Sequence, residues 1–410
     1  HVNGIEYEYG INTSTQTVTA PEIGNEGDNT KPETEEVGAW TKLNKVATNG
    51  SFDASKGVNS PKLGTELTAV TLTSDINDYK TNGTWYDYVA QTGTTETGGT
   101  SKWANAVTTD TDGSITGYYV WIPRYAYKIT SGYHSSTAGT IEIKFLKGAT
   151  NEFADGTGTA ETDPSRITYT EDVQNEWLVH PAFLSDASIG GGFGTKSGND
   201  DGITGLWVAK FETSAFIDGS DTSTRDIGSI AAEQQIKLCS LPGTEGAYGI
   251  NVGKMFSLSL KANENADSHM MKNSEWGACS YLSHSKYGRN ETKMDQNTSF
   301  EIVGEESGCV FTGGGQNDAY LTNKLQSTTG NAYGIYDLSG GKWEYTAAYI
   351  EADSDSWITE FGGELYTTIE MKYKNVYSKS TSGSEVDNYN QNSTIKGDAV
   401  YETSKVTKFT

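Results

Sequence analysis

The chain has 410 residues and a formal net charge of −24, from 30 Lys and Arg against 54 Asp and Glu. Nucleic-acid affinity comes largely from Lys and Arg displacing counterions, so a chain this acidic repels phosphate backbones and, by the same reasoning, anionic membrane surfaces. Hydrophobic residues make up 34%, yet 9 Trp, 24 Tyr and 12 Phe argue against a disordered chain and predict a core built on Trp and Tyr rather than Leu.

The chain opens at His1 with neither an initiator Met nor a signal peptide, which reads as processing or truncation. Residues 1–60 are polar and weakly patterned; "PEIGNEGDNTKPETEEVG" reads as part of an extended arm or linker, suited to adding a strand to a neighbouring subunit. A β-rich region is expected over 61–174. Within it "LTAVTLTSD" (67–75) alternates like a strand, and "GYYVWIPRYAYKIT" (117–130) is the strongest strand pattern in the chain. Tyr119, Trp121, Tyr125 and Tyr127 share one parity there, interrupted by Pro123, which implies an edge or bulge. "TIEIKFLKG" (140–148) places Ile141, Ile143 and Phe145 on one face and pairs with the preceding strand as a hairpin.

"GLWVAKFETS" (205–214) predicts another strand, with Trp207, Ala209 and Phe211 on one parity. A helix is expected over 268–287, with Asp267 or Ser268 as N-cap, an apolar stripe of Met271, Trp276, Ala278, Cys279 and Leu282, and Gly288 as its stop. The segment 331–349 is rich in turns and aromatic side chains, and residues 376–410 read as a polar C-terminal segment. No stretch of roughly 18 apolar residues is present, so no membrane-spanning helix is expected.

Catalytic and metal motifs are sparse. The five His form neither H-E-x-x-H nor H-x-H, and His180 in "LVHPAF" reads as a partly buried packing residue rather than a base. No G-x-S-x-G elbow appears. Cys239, Cys279 and Cys309 lack C-x-x-C spacing and allow one disulfide at most, with the pairing open. The acidic stretches Asn199–Gly202 and Glu351–Asp355 offer oxygen ligands suited to calcium, without the EF-hand pattern.

The segment "NAYGIYDLSGGKWEYT" (331–346) resembles the N-x-x-G-L-Y-D-M-x-G-N-V-W-E-W signature of the formylglycine-generating-enzyme-like (sulfatase-modifying factor) family. "HMMKNSEWGACSYL" (269–282) resembles that family's R-L-P-T-E-A-E-W helix, with Glu275 and Trp276 on the Glu-Trp pair. "GLWVAKFETS" resembles its opening strand, with Glu212 and Thr213 on the Glu-Val-Thr that usually follows. The three occur in the family's order over roughly residues 175–375. The resemblance implies a β-rich α+β fold: a C-type-lectin-like domain with few helices and long loops, preceded by the β-rich N-terminal region.

Trp207, Trp276, Tyr336 and Trp343 are expected to form the structural core of the signature. Catalytic members of the family use two C-terminal cysteines for copper and oxygen chemistry, whereas this chain has no Cys after Cys309. The family's Asn metal ligand is replaced by Gly341, and the closing Arg-Gly-Gly stretch is missing. The assembled motifs look like those of large pilin-like surface proteins of anaerobic Gram-positive bacteria. The expectation is therefore an extracellular, non-catalytic filament subunit or adhesin, not an enzyme, that polymerises or binds a glycan or protein receptor. A phage tail or virion receptor-binding protein, and a formylglycine-generating-type oxidase, are the alternatives.

Overall fold

The computed structural model describes residues 33–46, 48–92, 99–135, 138–217, 236–247, 249, 251–290, 292–298, 300–303, 306–342, 344–351, 368–382 and 384–403. The fold is sheet-rich, with five α-helices among the described residues and many small antiparallel sheets.

Residues 33–60 do not form the expected arm. Thr34–Val37 (β1) and Trp40–Leu43 (β2) make a hairpin that starts a six-stranded antiparallel sheet. Next to β2 lie Thr68–Leu72 (β3), Asn105–Thr109 (β4) and Ile115–Pro123 (β5). Gly205–Ala209, the signature's opening strand, closes the sheet against β5. Burial explains the correction: Trp40, Leu43 and Val58 are at most 2% exposed, so this polar stretch hides the few large apolar side chains that anchor it. Residues 1–32 lie outside the described part of the chain.

The pattern over 117–130 is two strands rather than one. Tyr125–Ser131 (β6) leaves the first sheet and joins a second, three-stranded sheet with Thr140–Phe145 (β7) and Leu178–Val179 (β8). The β6–β7 hairpin is the expected one, pairing Tyr127 with Ile143 and Tyr125 with Phe145. The switch between sheets falls at Arg124. Its buried guanidinium donates from Nε to Thr150 O at 3.0 Å and from Nη1 to Phe183 O at 2.7 Å and Ile203 O at 3.1 Å. Burial pushes this Arg down to about 10, and Asp201 and Asp200 oppose the shift. Gly205–Ala209, which closes the first sheet, is β9.

Strands from both sides of residue 175 share the first sheet, and one core cluster runs from Leu43 to Ile335. Its largest side chains are Trp and Tyr, including Trp103, Tyr125, Tyr127 and Tyr281. Ile76–Asn82 is α1, Val252–Ala262 is α2 and Asn273–His284 is α3. Helix α3 begins later than expected. Asp267 has φ +57°, a left-handed conformation unsuited to an N-cap, and Lys272 takes that place. The Glu275 carboxylate accepts the Lys272 N–H at 2.9 Å, the reciprocal half of a capping box. At the other end Ser285, not Gly288, is the C-cap.

The C-terminal segment is also packed. Glu385–Asn392 (α4) and Ala399–Thr403 (α5) enclose a cluster of Tyr377, Tyr389 and Tyr401. Cys239 and Cys279 are buried and free, and the Cys309 side chain lies outside the described residues.

Candidate functional site

The three signature segments meet at the end of β9. Lys210 follows that strand and is fully buried, its Nζ donating to Ala332 O and Gly334 O, both at 2.7 Å. The ammonium also lies 5.2 Å from the Trp40 ring and 5.4 Å from the Tyr336 ring. Burial pushes the Lys210 pKa well down; the two carbonyls and the ring faces favour the charged form and counter that push. Tyr336 is 1% exposed and closes the site, its hydroxyl donating to Tyr320 O at 2.9 Å and its amide to Lys210 O at 2.8 Å.

Asp337 follows with φ +66°, a conformation that Asp tolerates better than most residues. Its carboxylate accepts from Asn297 Nδ2 and Gly313 N, each at 2.8 Å, and from Thr312 Oγ1. Burial raises the Asp337 pKa, and these three donors hold it back. Glu212 lies nearby, two residues after Lys210. Its Oε1 accepts the Lys342 N–H at 2.6 Å, while Oε2 is buried without a hydrogen-bond partner. Burial pushes this carboxyl up to about 9, reinforced by Asp337 and Glu344 and opposed by Lys342. Glu212 is therefore neutral at physiological pH.

Gly341 is fixed by this contact. At φ +75°, a Cβ there would stand 2.2 Å from Glu212 Oε1. The space beside Gly341 is filled by the approach of Glu212. On the opposite side, Trp276 of α3 donates from Nε1 to Glu344 Oε2 at 3.0 Å, joining the second and third segments.

Of the four residues expected as the signature core, only Tyr336 is fully buried in the described structure. Trp276 is half-buried against Glu344. Trp207 is half-buried on β9, packed on Trp121 at 5.3 Å and bonded to Lys62 O at 2.8 Å. Trp343 lies outside the described residues.

His180, expected to be partly buried, is wholly enclosed by Tyr125, Tyr127, Tyr281 and Phe183. Its Nδ1 accepts the Ala182 N–H at 3.3 Å, and burial drops it to about 3, with the Gly397 backbone opposing. It is neutral and structural. The acidic stretch Asn199–Gly202 falls in a hairpin of Thr195–Ser197 with Asp200–Gly202, where Asp201 accepts from Ser185 Oγ at 2.6 Å and pairs with Lys196 at 3.1 Å. Within Glu351–Asp355 only Glu351 is described. Among the described residues no group of three or more His, Cys, Asp or Glu is placed to hold a metal, and no helix is long and apolar enough to cross a membrane.

Sequence reasoning missed a second polar centre. Glu402 of α5 is fully buried and accepts from the hydroxyls of Tyr127 and Tyr281, each at 2.8 Å, from the Tyr169 hydroxyl, and from Gly397 N at 2.6 Å. The only signal available was an acidic residue inside the short apolar run "DAVYET". No family model matches this chain, and no curated protein matches it.

Proposed function

We propose that this chain is a non-catalytic extracellular surface protein, a subunit of a cell-surface filament or an adhesin, presenting a C-type-lectin-like binding domain. The observation that carries the proposal is how the signature's polar groups are used. Glu212, Asp337, Trp276 and Glu344 bond to backbone amides or to one another and hold long loops against a small sheet. Such a frame suits display of variable loop surfaces, because rigid elements position loops that do the binding. The acidic composition keeps such a surface soluble and disfavours nucleic-acid partners.

The test is negative-stain microscopy of native material labelled with antibody to the chain, run beside an oxygen-uptake assay with copper and a Cys-containing sulfatase peptide. Label on cell-surface filaments or on the envelope supports the proposal. Label confined to virions would overturn the cell-surface assignment, and turnover of the peptide would overturn the non-catalytic one.

A further inference from the structure

A compact charged cluster lies at the start of the second signature segment, where the turn before α3 meets the glycine-rich loop 190–194 and the one-turn helix Met371–Tyr373. His269 is at its centre. Its Nδ1 lies 2.8 Å from Asp267 O, and its Nε2 lies 2.9 and 3.1 Å from the two oxygens of Glu275. A carbonyl can only accept, so Nδ1 carries a proton. Glu275 already accepts the Lys272 amide at 2.9 Å and faces Lys272 Nζ at 3.6 Å, an environment that keeps it ionised. An ionised carboxylate also only accepts, so Nε2 carries the second proton. Neutral imidazole has a single N–H and cannot satisfy both acceptors.

The three segments are tied through this centre. Lys272 Nζ donates to Gly190 O at 3.1 Å and Gly191 O at 2.7 Å, and Ser274 Oγ donates to Gly190 O at 2.6 Å. Phe193 of the same loop stacks on the His269 ring at 4.8 Å and 23°. Asp267 turns its carbonyl to His269 while its carboxylate takes the Tyr373 hydroxyl at 2.5 Å and Lys372 Nζ at 3.3 Å. The charged and titratable groups around the imidazole are thus Asp267, Lys272, Glu275, Lys372 and Tyr373. The His269 side chain keeps 18% of its surface exposed, so solvent protons reach it.

We propose that His269 is a proton-operated clamp: as imidazolium it locks loop 190–194, the Asp267 turn and residues 371–373 into one surface, and loss of its proton releases them. On deprotonation one nitrogen presents a lone pair to an oxygen acceptor. Either the Glu275 contact or the Asp267 carbonyl contact then becomes repulsive. Losing the Asp267 contact frees the turn whose carboxylate holds Tyr373 and Lys372.

Burial works against the His269 charge, but Glu275 and the Asp267 carbonyl outweigh it and hold its pKa above the ordinary 6.5. Burial likewise opposes the Glu275 charge, yet His269 and Lys272 bring it down to about 2. A raised His pKa gives stabilisation that is complete below 6.5 and lost as pH rises through the folded value. A depressed Glu pKa gives stabilisation that is complete above 4.5 and lost as pH falls through about 2. The stabilisation from both groups is therefore complete between pH 4.5 and 6.5, and the clamp opens on the alkaline side, as pH rises through the raised His269 value. This rests on the geometry around His269 and is independent of the surface-protein proposal.

The experiment follows the His269 imidazole by NMR in the full chain from pH 5 to 9, alongside hydrogen-exchange protection of residues 190–194 and 370–374 corrected for intrinsic rates. The expected result is a His269 titration above 6.5, with protection of both segments falling at least about threefold through the same midpoint. Glu275→Gln is expected to move that midpoint down, and His269→Gln to abolish the pH-dependent step while leaving a single low protection level. A wild-type His269 titrating at or below 6.5 would overturn the clamp. So would protection that follows pH identically in wild type and His269→Gln.

Discussion

Glu402→Gln probes the buried tyrosine centre with almost no change of shape. The carboxylate accepts from three hydroxyls and one backbone amide, and all of Glu402 is enclosed. Glutamine keeps one carbonyl oxygen and replaces the other with an amide donor. If the carbonyl takes the Oε2 position it retains Tyr281, Tyr127 and Gly397, and Tyr169 loses its acceptor. The reverse flip leaves the Gly397 N–H facing another donor, which costs more. An unsatisfied buried donor costs about 1–3 kcal/mol, and the surviving bonds lose roughly half their strength without the charge. The expected cost is about 2–4 kcal/mol, read as a lower urea midpoint together with faster hydrogen exchange over 396–403. Tyr169→Phe alone is expected to cost about 1 kcal/mol. Combined with Glu402→Gln it adds less than that, because the shared interaction is already gone. Strict additivity, or a midpoint within about 0.5 kcal/mol of wild type for Glu402→Gln, would refute a closed network at this site.

The signature offers three more tests. Lys210→Met keeps the volume but leaves Ala332 O and Gly334 O without a donor, so a loss of about 2–4 kcal/mol is expected in a denaturant titration. Gly341→Asn is expected to destabilise by at least about 2 kcal/mol, since its Cβ meets Glu212 Oε1; wild-type stability would show the contact is dispensable. Glu212 has a raised folded pKa, so the folded state holds its proton where the unfolded state has lost it. Its contribution is favourable below 4.5 and is lost as pH rises through about 9. Glu212→Gln is therefore expected to be near neutral at pH 5 and relatively stabilising, on the order of 2–4 kcal/mol, by pH 8; equal melting profiles at both pH values would contradict a neutral Glu212.

What the sequence makes legible follows the range of the forces involved. The alternation of Ile141, Ile143 and Phe145 and the hairpin to β6 depend on neighbours, and both are seen. The apolar stripe of Ala278, Cys279 and Leu282 also places α3, because helical periodicity is local. Its start is misread because Ser and Asp are the favoured caps, while here Glu275 supplies the cap from inside the helix. Tyr119 through Tyr127 keep one parity, and Pro123 signals an edge or bulge there, but the pattern does not say that the chain changes sheets. The switch is set by carbonyls of Thr150, Phe183 and Ile203 converging on Arg124. The arm is misread for a related reason: among acidic residues only a few apolar side chains, Trp40, Leu43 and Val58, carry the anchoring, and the Trp40 indole bonds to Tyr320, 280 residues away.

The buried carboxyls show why the functional chemistry is the least legible part. Glu212, Glu275 and Glu402 are the same residue type in a chain crowded with acids, yet each is accommodated differently. Glu212 keeps its proton. Glu275 stays ionised between His269 and Lys272. Glu402 is held by the hydroxyls of Tyr127, Tyr169 and Tyr281, at separations of 275, 233 and 121 residues. None of these fates is written in the flanking sequence, because each is decided by what the fold brings opposite the carboxyl. Raising the pH strains Glu212 and discharges His269, so the two respond in the same direction. The contacts of Glu212 and the His269 clamp therefore both weaken toward alkaline pH.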